Sequence, residues 1–480
     1  MVLSGTGTSP RLVVRTLFLV LVLLSVGVVG NAYLGSTRAQ ASGGGVAQQA
    51  RVAARDGSSR QIVAPRANVT VISTDSNTWL GRQQQGPRSE AELMAFYPNG
   101  SVLYYNDSHT RYWGIDPSVP GRYTVMYTAA DHLSKAACHA ETVCTRDVVE
   151  TVNLSTGTVH RLYSMITPRK ESTRWHDAEY IDTNHVAIAD IYRDRAFVVN
   201  TSSDLVTWAW DAQTNFNISS GGPFPTDWTH INDVDVLPDG RIMVSVRNQD
   251  VVVFLNRTTG LERNWTLGRV GDHRILYAQH NPDYIPPDHG GPAVVVADSQ
   301  NNRAVEYQRT ANGTWNRTWV WTDARMQWPR AAHRLPNGHT LITDSNGNRV
   351  FEVNRTGAIV WNVNVAFPFD AVRLGAGKDS AKGPSATRAN LTSYHGGVDG
   401  SAGTAAPVGP FASLWLRVKR QLRGPVFSGV VYVLPVWMGA ASVLAVLVGA
   451  LTLVVWALAE LYWAGVTATL HWPVVFHRKR

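Results

Sequence analysis

A repeated pattern of short strands and turns constrains the middle of this chain more than any other feature of its sequence. The turns after Leu237 and Leu335 read Pro-Asp-Gly and Pro-Asn-Gly, in which glycine supplies the positive φ of a hairpin. His176, His230 and His280, in three successive copies, lie 54 and 50 residues apart, as for blades of four strands with insertions. Four copies begin with RWHDAEYI at 174, HINDVDVL at 230, QHNPDYIP at 279 and RAAHRLPN at 330.

Two weaker copies begin at Ala91 and Arg146, so six units fit between about residue 70 and residue 375. Each unit alone would expose an apolar face that only its neighbours can cover. We therefore predict an all-β fold, a six-bladed β-propeller over residues 67–375. A pair of β-sandwiches is the structural alternative.

Two apolar runs without charge flank the repeats. Residues 16–35 follow Arg11 and Arg15 and are long enough to cross a bilayer, which predicts an N-terminal signal anchor or transmembrane helix within residues 1–35. A cleavable signal peptide is the rival interpretation, because Ala39-Gln40-Ala41 offers a cleavage site. Residues 434–459 predict a second transmembrane helix.

Composition divides the remaining segments. Stretches rich in Gly, Ser, Ala and Gln predict flexible linkers on both sides of the propeller. A basic stretch before the second apolar run predicts an amphipathic juxtamembrane segment that binds anionic headgroups. The ranges are linkers at 36–66 and 376–411, the juxtamembrane segment at 412–433, and a basic C-terminal tail at 460–480.

The net charge of +8 comes from the ends of the chain. Residues 67–375 contain 27 basic and 32 acidic groups, so the predicted propeller is acidic and no nucleic-acid partner is expected. Positive residues before the first apolar run and after the last favour two cytoplasmic ends. This predicts a cell-membrane protein with an extracellular propeller and membrane lipid as a partner.

Two further features are typical of an exported protein. Cys138 and Cys144 are the only cysteines, and an isolated close pair indicates a loop disulfide rather than a metal site. Glycosylation motifs are dense, although chance in an Asn- and Thr-rich β-sequence is the alternative. They occur at Asn68, Asn99, Asn106, Asn153, Asn200, Asn217, Asn256, Asn264, Asn312, Asn316, Asn354 and Asn390.

The repeats bring four polar residues into one register. Five positions before the apolar residues Ile181, Leu237, Ile285 and Leu335 stand His176, Asn232, His280 and Arg330. Equivalent positions of successive blades surround the central channel, so these side chains should meet in one funnel. His230 shares a strand face with Asn232, and Arg247 follows the next strand. His333 has the opposite parity and is expected to be structural or to lie at the rim.

Histidine, asparagine and arginine with few carboxylates favour an anion as the ligand of this funnel. Guanidinium and imidazole groups can neutralise a tetrahedral oxyanion, and a neutral imidazole nitrogen can attack its central atom. A zinc or copper centre would also use histidines, but Arg247 would repel the metal ion. We therefore predict no metal and no organic cofactor.

These motifs resemble those of the arylsulfate sulfotransferase family. The similarity is carried by DWTHINDVDVLPDGRIMVSVRNQD, RWHDAEYI and AQHNPDYI, and it spans about residues 68–375. The apolar ends and the TDSNTWLG opening are similar to the archaeal, membrane-anchored branch. The resemblance implies a propeller that moves a sulfuryl group from a phenolic sulfate ester to a phenol, without a nucleotide donor, through a covalent sulfohistidine in a ping-pong cycle.

The resemblance also implies roles for individual residues. His280 matches the nucleophile and His176 the remaining catalytic histidine, while His230, Asn232 and Arg247 match the sulfuryl-binding groups. The implied partners are a small aryl sulfate donor and a phenolic acceptor. The competing hypothesis is a non-catalytic propeller that binds an extracellular anionic ligand or protein in the same funnel.

Overall fold

The structure is a computed structural model whose described residues form two compact units. The larger unit contains the described residues from 45 to 395 and from 428 to 434, and the smaller unit those from 9 to 41 and from 435 to 478. The described residues are 9–41, 45–75, 90–117, 123–139, 143–168, 173–323, 325–376, 382–395, 428–430, 432, 434–438, 440–469 and 475–478.

The larger unit is a six-bladed β-propeller, which confirms the predicted fold. Blade 1 contains β1 (Thr70–Thr74), β2 (Glu92–Phe96) and β3 (Val102–Asn106). Blade 2 contains β4 (Arg111–Asp116), β5 (Thr124–Leu133), β6 (Cys144–Asn153) and β7 (Val159–Thr167). Blade 3 contains β8 (Trp175–Asp182), β9 (His185–Asp190), β10 (Arg195–Asn200) and β11 (Leu205–Asp211).

The later blades follow the same antiparallel order with additional edge strands. Blade 4 contains β12 (Ile231–Val236), β13 (Ile242–Val246), β14 (Val251–Asn256), β15 (Gly260–Leu261) and β16 (Leu267–Gly268). Blade 5 contains β17 (His280–Ile285), β18 (Ala293–Asp298), β19 (Arg303–Arg309) and β20 (Trp315–Thr322). Blade 6 contains β21 (Pro329–Arg334), β22 (Thr340–Asp344), β23 (Arg349–Val353) and β24 (Ile359–Val363).

The C-terminal propeller strand closes the ring. β25 (Pro368–Arg373) pairs antiparallel with β1, with Val372 opposite Val71, and so becomes the innermost strand of blade 1. β26 (Tyr394–His395) pairs in parallel with β20 at the edge of blade 5. Because the last strand of the propeller pairs with the first, blade 1 contains both ends of the repeated region and closes the ring.

Alternating side chains hold neighbouring blades together. In β13, Val244 packs in a cluster with Val198 of blade 3, whereas Met243 packs in a cluster with Val294 of blade 5. Successive side chains of a strand point to opposite faces, so one strand contributes to both blade interfaces. The repeat pattern therefore buries apolar side chains on both sides of each sheet.

The two weak sequence copies have the wrong phase within their blades. The segment from Ala91 corresponds to β2 and β3, and the segment from Arg146 to β6 and β7, which are the outer hairpins of blades 1 and 2. The four strong copies begin instead at innermost strands. An outer hairpin with a Pro-Asn-Gly turn has the same local pattern as an inner one, so the sequence gives the number of blades but not their phase here.

The Asn-x-Ser/Thr motif has a structural explanation in this fold. In eight of the twelve copies the Asn side-chain oxygen accepts a hydrogen bond from the backbone N–H two residues later. In the turn at Asn354, it also accepts from the hydroxyl of Thr356. Asn-x-Ser/Thr is therefore favoured as an Asx turn at strand ends.

Helices and short 3₁₀ turns complete the described chain. The 3₁₀ turns are Ala212–Thr214, Arg247–Gln249, Arg263–Trp265, Pro287–His289 and Ser299–Asn301. The helices are α1 (Pro10–Ala41), α2 (Val46–Asp56), α3 (Lys135–Cys138), α4 (Ala386–Ala389) and α5 (Ala440–Trp463). The predicted disulfide joins Cys138, at the end of α3, to Cys144.

The segments predicted as flexible linkers contain ordered elements. In residues 36–66, α2 buries Ala50 and Ala53 and ends at Gly57, whose φ of 63° suits a left-handed cap. In residues 376–411, α4 and β26 pack on blade 5. Small residues allow these segments to lie close against the blades, so their composition did not distinguish packing from flexibility. The predicted juxtamembrane segment lies largely outside the described residues.

The smaller unit contains two helices that are long and apolar enough to cross a membrane, over Pro10–Gly35 and Ser442–Trp463. α1 and α5 pack antiparallel, and the Arg15 guanidinium donates two hydrogen bonds of 2.6 Å to the Glu460 carboxylate. The second transmembrane helix, predicted at 434–459, corresponds to α5, which begins at Ala440 and ends at Trp463. The same unit contains β27 (Val466–Thr469) and β28 (Val475–Arg478).

An ion-pair clamp joins three innermost strands. Nδ1 of His333 in β21 lies 2.7 Å from Asp283 in β17, and Nε2 lies 2.9 Å from Asp370 in β25. All three side chains are buried, and although burial opposes the charge, the two carboxylates raise the pKa of His333 well above its ordinary value. This histidine has the structural role expected from its parity.

Replacing this charged histidine should destabilise the propeller. We expect His333→Gln to lower the free energy of unfolding by about 3–5 kcal/mol, because two buried carboxylates lose their shared cation. The change is measured by urea denaturation with tryptophan fluorescence. His185→Gln is the matched control: its partner Asp182 is 53% exposed, so we expect a loss below about 1 kcal/mol. Equal losses in the two variants would contradict the clamp.

Candidate active site

Six side chains, one from each innermost strand, occupy equivalent positions and form an inner ring at one end of the channel. The imidazole of His176 contacts three other members of this ring. Its centroid lies 5.3 Å from that of Trp113, 5.1 Å from that of Phe369 and 6.5 Å from that of His280. The inner ring consists of Trp113, His176, Asn232, His280, Arg330 and Phe369, all of them buried. The four residues aligned by sequence thus meet in one place.

A second ring is formed by the residues two positions earlier in each blade. Four of them have positive φ, between 46° and 52°, so the chain turns sharply just before it enters the innermost strand. One member, His230, packs against His176 with ring centroids 5.3 Å apart. This outer ring consists of Arg111, Arg174, His230, Ala278, Trp328 and Phe367.

His280 is held in one tautomer by a hydrogen-bond chain. The Ser299 hydroxyl donates to the Pro329 carbonyl at 2.7 Å, so its lone pair accepts the Nδ1–H of His280 at 2.8 Å. A second carbonyl, that of Ala297, lies 3.3 Å from the same hydroxyl and also leaves it only the acceptor role. The proton therefore resides on Nδ1, and the lone pair of Nε2 is available.

The Nε2 atom of His280 is buried and has no hydrogen-bond partner among the described residues. Burial and the nearby cations Arg330 and Arg247 hold the pKa of His280 well below its ordinary value. The imidazole is therefore neutral at physiological pH, and its unprotonated nitrogen lies in the field of two guanidinium groups. A neutral nitrogen of this kind is a competent nucleophile.

His230 is in a different state because both of its ring nitrogens are engaged. Arg247 can only donate, so its contact of 3.0 Å makes Nε2 of His230 the acceptor, and Nδ1–H donates to Asp227 at 2.6 Å. Burial, assisted by Arg247, lowers the pKa of His230 to about 4. These contacts fix the orientation of Arg247, and the predicted role of His230 in binding the sulfuryl group stays a prediction.

Three arginines give the site its positive field. Arg247 also donates to Asn248 at 2.9 Å, and although burial lowers its pKa to about 10, it stays charged at neutral pH. Arg330 lies over the rings of Trp328 and Phe367, 5.1 and 4.8 Å from their centroids. Nε of the third, Arg174, has no hydrogen-bond partner among the described residues. Such a cluster favours an anionic ligand.

Several buried polar atoms converge without partners inside the part of the chain that the structure describes. They are both ring nitrogens of His176 and the side-chain oxygen of Asn232, whose amide nitrogen donates to the Gln279 carbonyl at 2.9 Å. Burial lowers the pKa of His176 well below its ordinary value, so this imidazole is also neutral. An unpaired buried polar group costs about 1–3 kcal/mol, which a bound polar ligand would recover.

The structure adds residues that the sequence reasoning missed. Trp113 and Phe369 belong to blades 2 and 1, whose repeats were predicted in the wrong phase. Arg174 and Trp328 lie two positions before His176 and Arg330, outside the aligned column. Ser299 had a detectable signal: it begins the 3₁₀ turn of blade 5, as Arg247 begins that of blade 4. The described residues contain no group of three or more His, Cys, Asp or Glu arranged to hold a metal ion.

The similar solved structures have low sequence identity to this chain. A 6-phosphogluconolactonase homologue from Bacteroides fragilis is 12% identical, with 64% of this chain and 98% of that chain covered and a TM-score of 0.41. A periplasmic gluconolactonase from Pseudomonas aeruginosa is 10% identical, with 64% and 99% covered and a TM-score of 0.39. Virginiamycin B lyase from Staphylococcus aureus is 8% identical, with 63% and 89% covered and a TM-score of 0.36.

The curated proteins contain no match to this chain. A family comparison does give a match, and it falls on the site. Residues 123–281 match the family described as Arylsulfotransferase (ASST). This range runs from β5 to the start of β17 and contains His176, His230, Asn232, Arg247 and His280. The part of the chain that carries the five predicted site residues is therefore similar to the arylsulfotransferases.

Proposed function

We propose that this chain is an arylsulfotransferase that moves a sulfuryl group from a phenolic sulfate ester to a phenol through a covalent intermediate on His280. The observation that carries the proposal is the unpartnered Nε2 of a neutral His280, fixed by Ser299 beside Arg247 and Arg330. The match of residues 123–281 to the arylsulfotransferase family supports the same reaction class.

In the first half-reaction, Nε2 of His280 attacks the sulfur atom, the ester S–O bond breaks, and the phenolate leaves with the bonding pair. The imidazole gains positive charge as the N–S bond forms. Ser299 stabilises that charge, because its hydroxyl accepts the Nδ1–H hydrogen bond while donating its own hydrogen bond to the Pro329 carbonyl. Arg247 donates to the non-bridging oxygens of the sulfuryl group, and so does the second N–H of the Asn232 amide, whose first N–H donates to the Gln279 carbonyl.

In the second half-reaction, the acceptor phenol attacks the same sulfur atom and the N–S bond returns its electron pair to His280. Neutral His176 takes the phenolic proton as a general base. The resulting imidazolium can protonate the phenolate released in the next cycle. Because His280 and His176 both have pKa values held low by burial, neither requires deprotonation before the reaction starts.

The reaction is tested with the purified full chain, p-nitrophenyl sulfate as donor and phenol as acceptor. We expect nitrophenol release that His280→Ala reduces by about 1,000-fold or more, since the variant lacks the nitrogen that attacks sulfur. His185→Gln, which alters a half-buried histidine outside the two rings, should keep full activity. Protection against unfolding by the aryl sulfate without nitrophenol release would favour the non-catalytic binding hypothesis instead.

Ser299 offers a sharper test because blade 6 contains its counterpart. Ser345 donates to the Pro368 carbonyl at 2.6 Å but accepts no hydrogen bond from a histidine among the described residues. Ser345→Ala is therefore the matched control. We expect Ser299→Ala to slow nitrophenol release about 10- to 100-fold, since the Nδ1–H loses the acceptor that fixes its tautomer. The loss should fall on kcat rather than KM, and Ser299→Thr should restore it. Equal effects of the two alanine variants would remove Ser299 from this role.

We further propose that the enzyme is anchored in the cell membrane with its propeller outside. Two apolar helices of membrane-spanning length and a disulfide typical of oxidising compartments support this arrangement.

A membrane-impermeant amine reagent applied to intact cells should label Lys135, which is exposed on α3. Lys479, in the basic tail, should react only after permeabilisation. The reverse pattern would contradict the proposed orientation.

A further inference from the structure

A tyrosine from the segment after the propeller lies over the candidate active site. The ring of Tyr432 packs edge-on against two members of the outer ring, with centroids 5.6 Å from Trp328 and 5.3 Å from Phe367. Trp328 in turn contacts His280, with centroids 6.1 Å apart. One aromatic ring thus touches both the tyrosine and the proposed nucleophile.

A buried serine fixes this segment to the site. The Ser428 hydroxyl donates to the Gln300 side-chain oxygen at 2.9 Å and lies 3.5 Å from the Gln327 amide nitrogen, and only 3% of Ser428 is exposed. Gln300 follows Ser299, and Gln327 precedes Trp328. The segment is therefore attached to the two turns that position His280 and its aromatic neighbour.

The surroundings of Tyr432 suit a phenol that exchanges a sulfuryl group. Two arginines, Arg174 and Arg330, lie close enough to Tyr432 for a negative charge on its phenolic oxygen to raise their pKa values. Arg330 also lies over the Trp328 and Phe367 rings, so a guanidinium group and the Tyr432 ring contact the same two aromatic side chains. Aromatic walls bind an aryl ring, and guanidinium groups stabilise an attacking phenolate or its sulfate ester.

We propose that Tyr432 occupies the acceptor position and is itself a sulfuryl acceptor of this enzyme. The inference rests on the proposed function, since it requires sulfo-His280. The phenolic oxygen of Tyr432 attacks sulfur, the N–S bond breaks with its electron pair returning to Nε2, and the phenolic proton passes to neutral His176. The products are tyrosine sulfate, neutral His280 and protonated His176, so no further reactant is needed.

The full chain in detergent is incubated with p-nitrophenyl sulfate and no added phenol, and its tyrosine peptides are analysed by mass spectrometry. We expect one nitrophenol released per sulfate found on Tyr432, at a rate independent of protein concentration. Tyr97, which is 38% exposed on blade 1, serves as the internal control. It should carry roughly 100-fold less sulfate, because a tethered phenol has an effective concentration of millimolar or more. Tyr432→Phe and His280→Ala should each abolish the Tyr432 product.

The outcomes separate this inference from the function on which it rests. Nitrophenol release with the sulfuryl group found only on histidine would overturn the role of Tyr432 and leave the sulfotransferase standing. Equal sulfate on Tyr432 and Tyr97 would overturn it as well, because selective placement would be absent. Failure to release nitrophenol, with or without added phenol, would remove both proposals.

Discussion

The closure of the ring by β25 and β1 is the constraint on which the site depends. Innermost strands can present their first residues to a common axis only if six blades complete the circle, and the last strand does so by pairing inside blade 1. The clamp of His333 with Asp283 and Asp370 lies on these same innermost strands. The inner ring is therefore a consequence of closure, since its six members come from six separate blades and share no local sequence.

Burial at this axis determines the chemistry that its histidines can perform. An imidazole removed from water and surrounded by guanidinium groups is disfavoured as a cation, which accounts for the low pKa values of His176, His230 and His280. The hydrogen bonds then distinguish the three. His230 has both nitrogens engaged, His280 has one, and His176 has none within the described residues. One electrostatic environment thus supports three different roles.

Much of this arrangement was predictable from sequence, because a repeat converts spacing into position. The register of His176, Asn232, His280 and Arg330 correctly predicted one shared location. The register alone could not distinguish the hydrogen-bonding states of the three histidines, since these depend on bonds between residues distant in the chain, such as Ser299 with the Pro329 carbonyl. It also could not predict the ordered α2, because a small-residue segment that packs closely has the composition of a flexible linker.

Divergence at one repeat position explains how similar blades acquired an asymmetric site. The first residue of the turn after the second strand is Arg247 in blade 4, Ser299 in blade 5 and Ser345 in blade 6. Both serines donate to the carbonyl of a proline at the start of the following innermost strand, so this bond belongs to the blade architecture. In blade 5 the same hydroxyl also accepts from His280, and in blade 4 arginine replaces it and reaches His230. A structural hydrogen bond that already fixes the hydroxyl rotor is what makes that hydroxyl a reliable acceptor for the imidazole of His280.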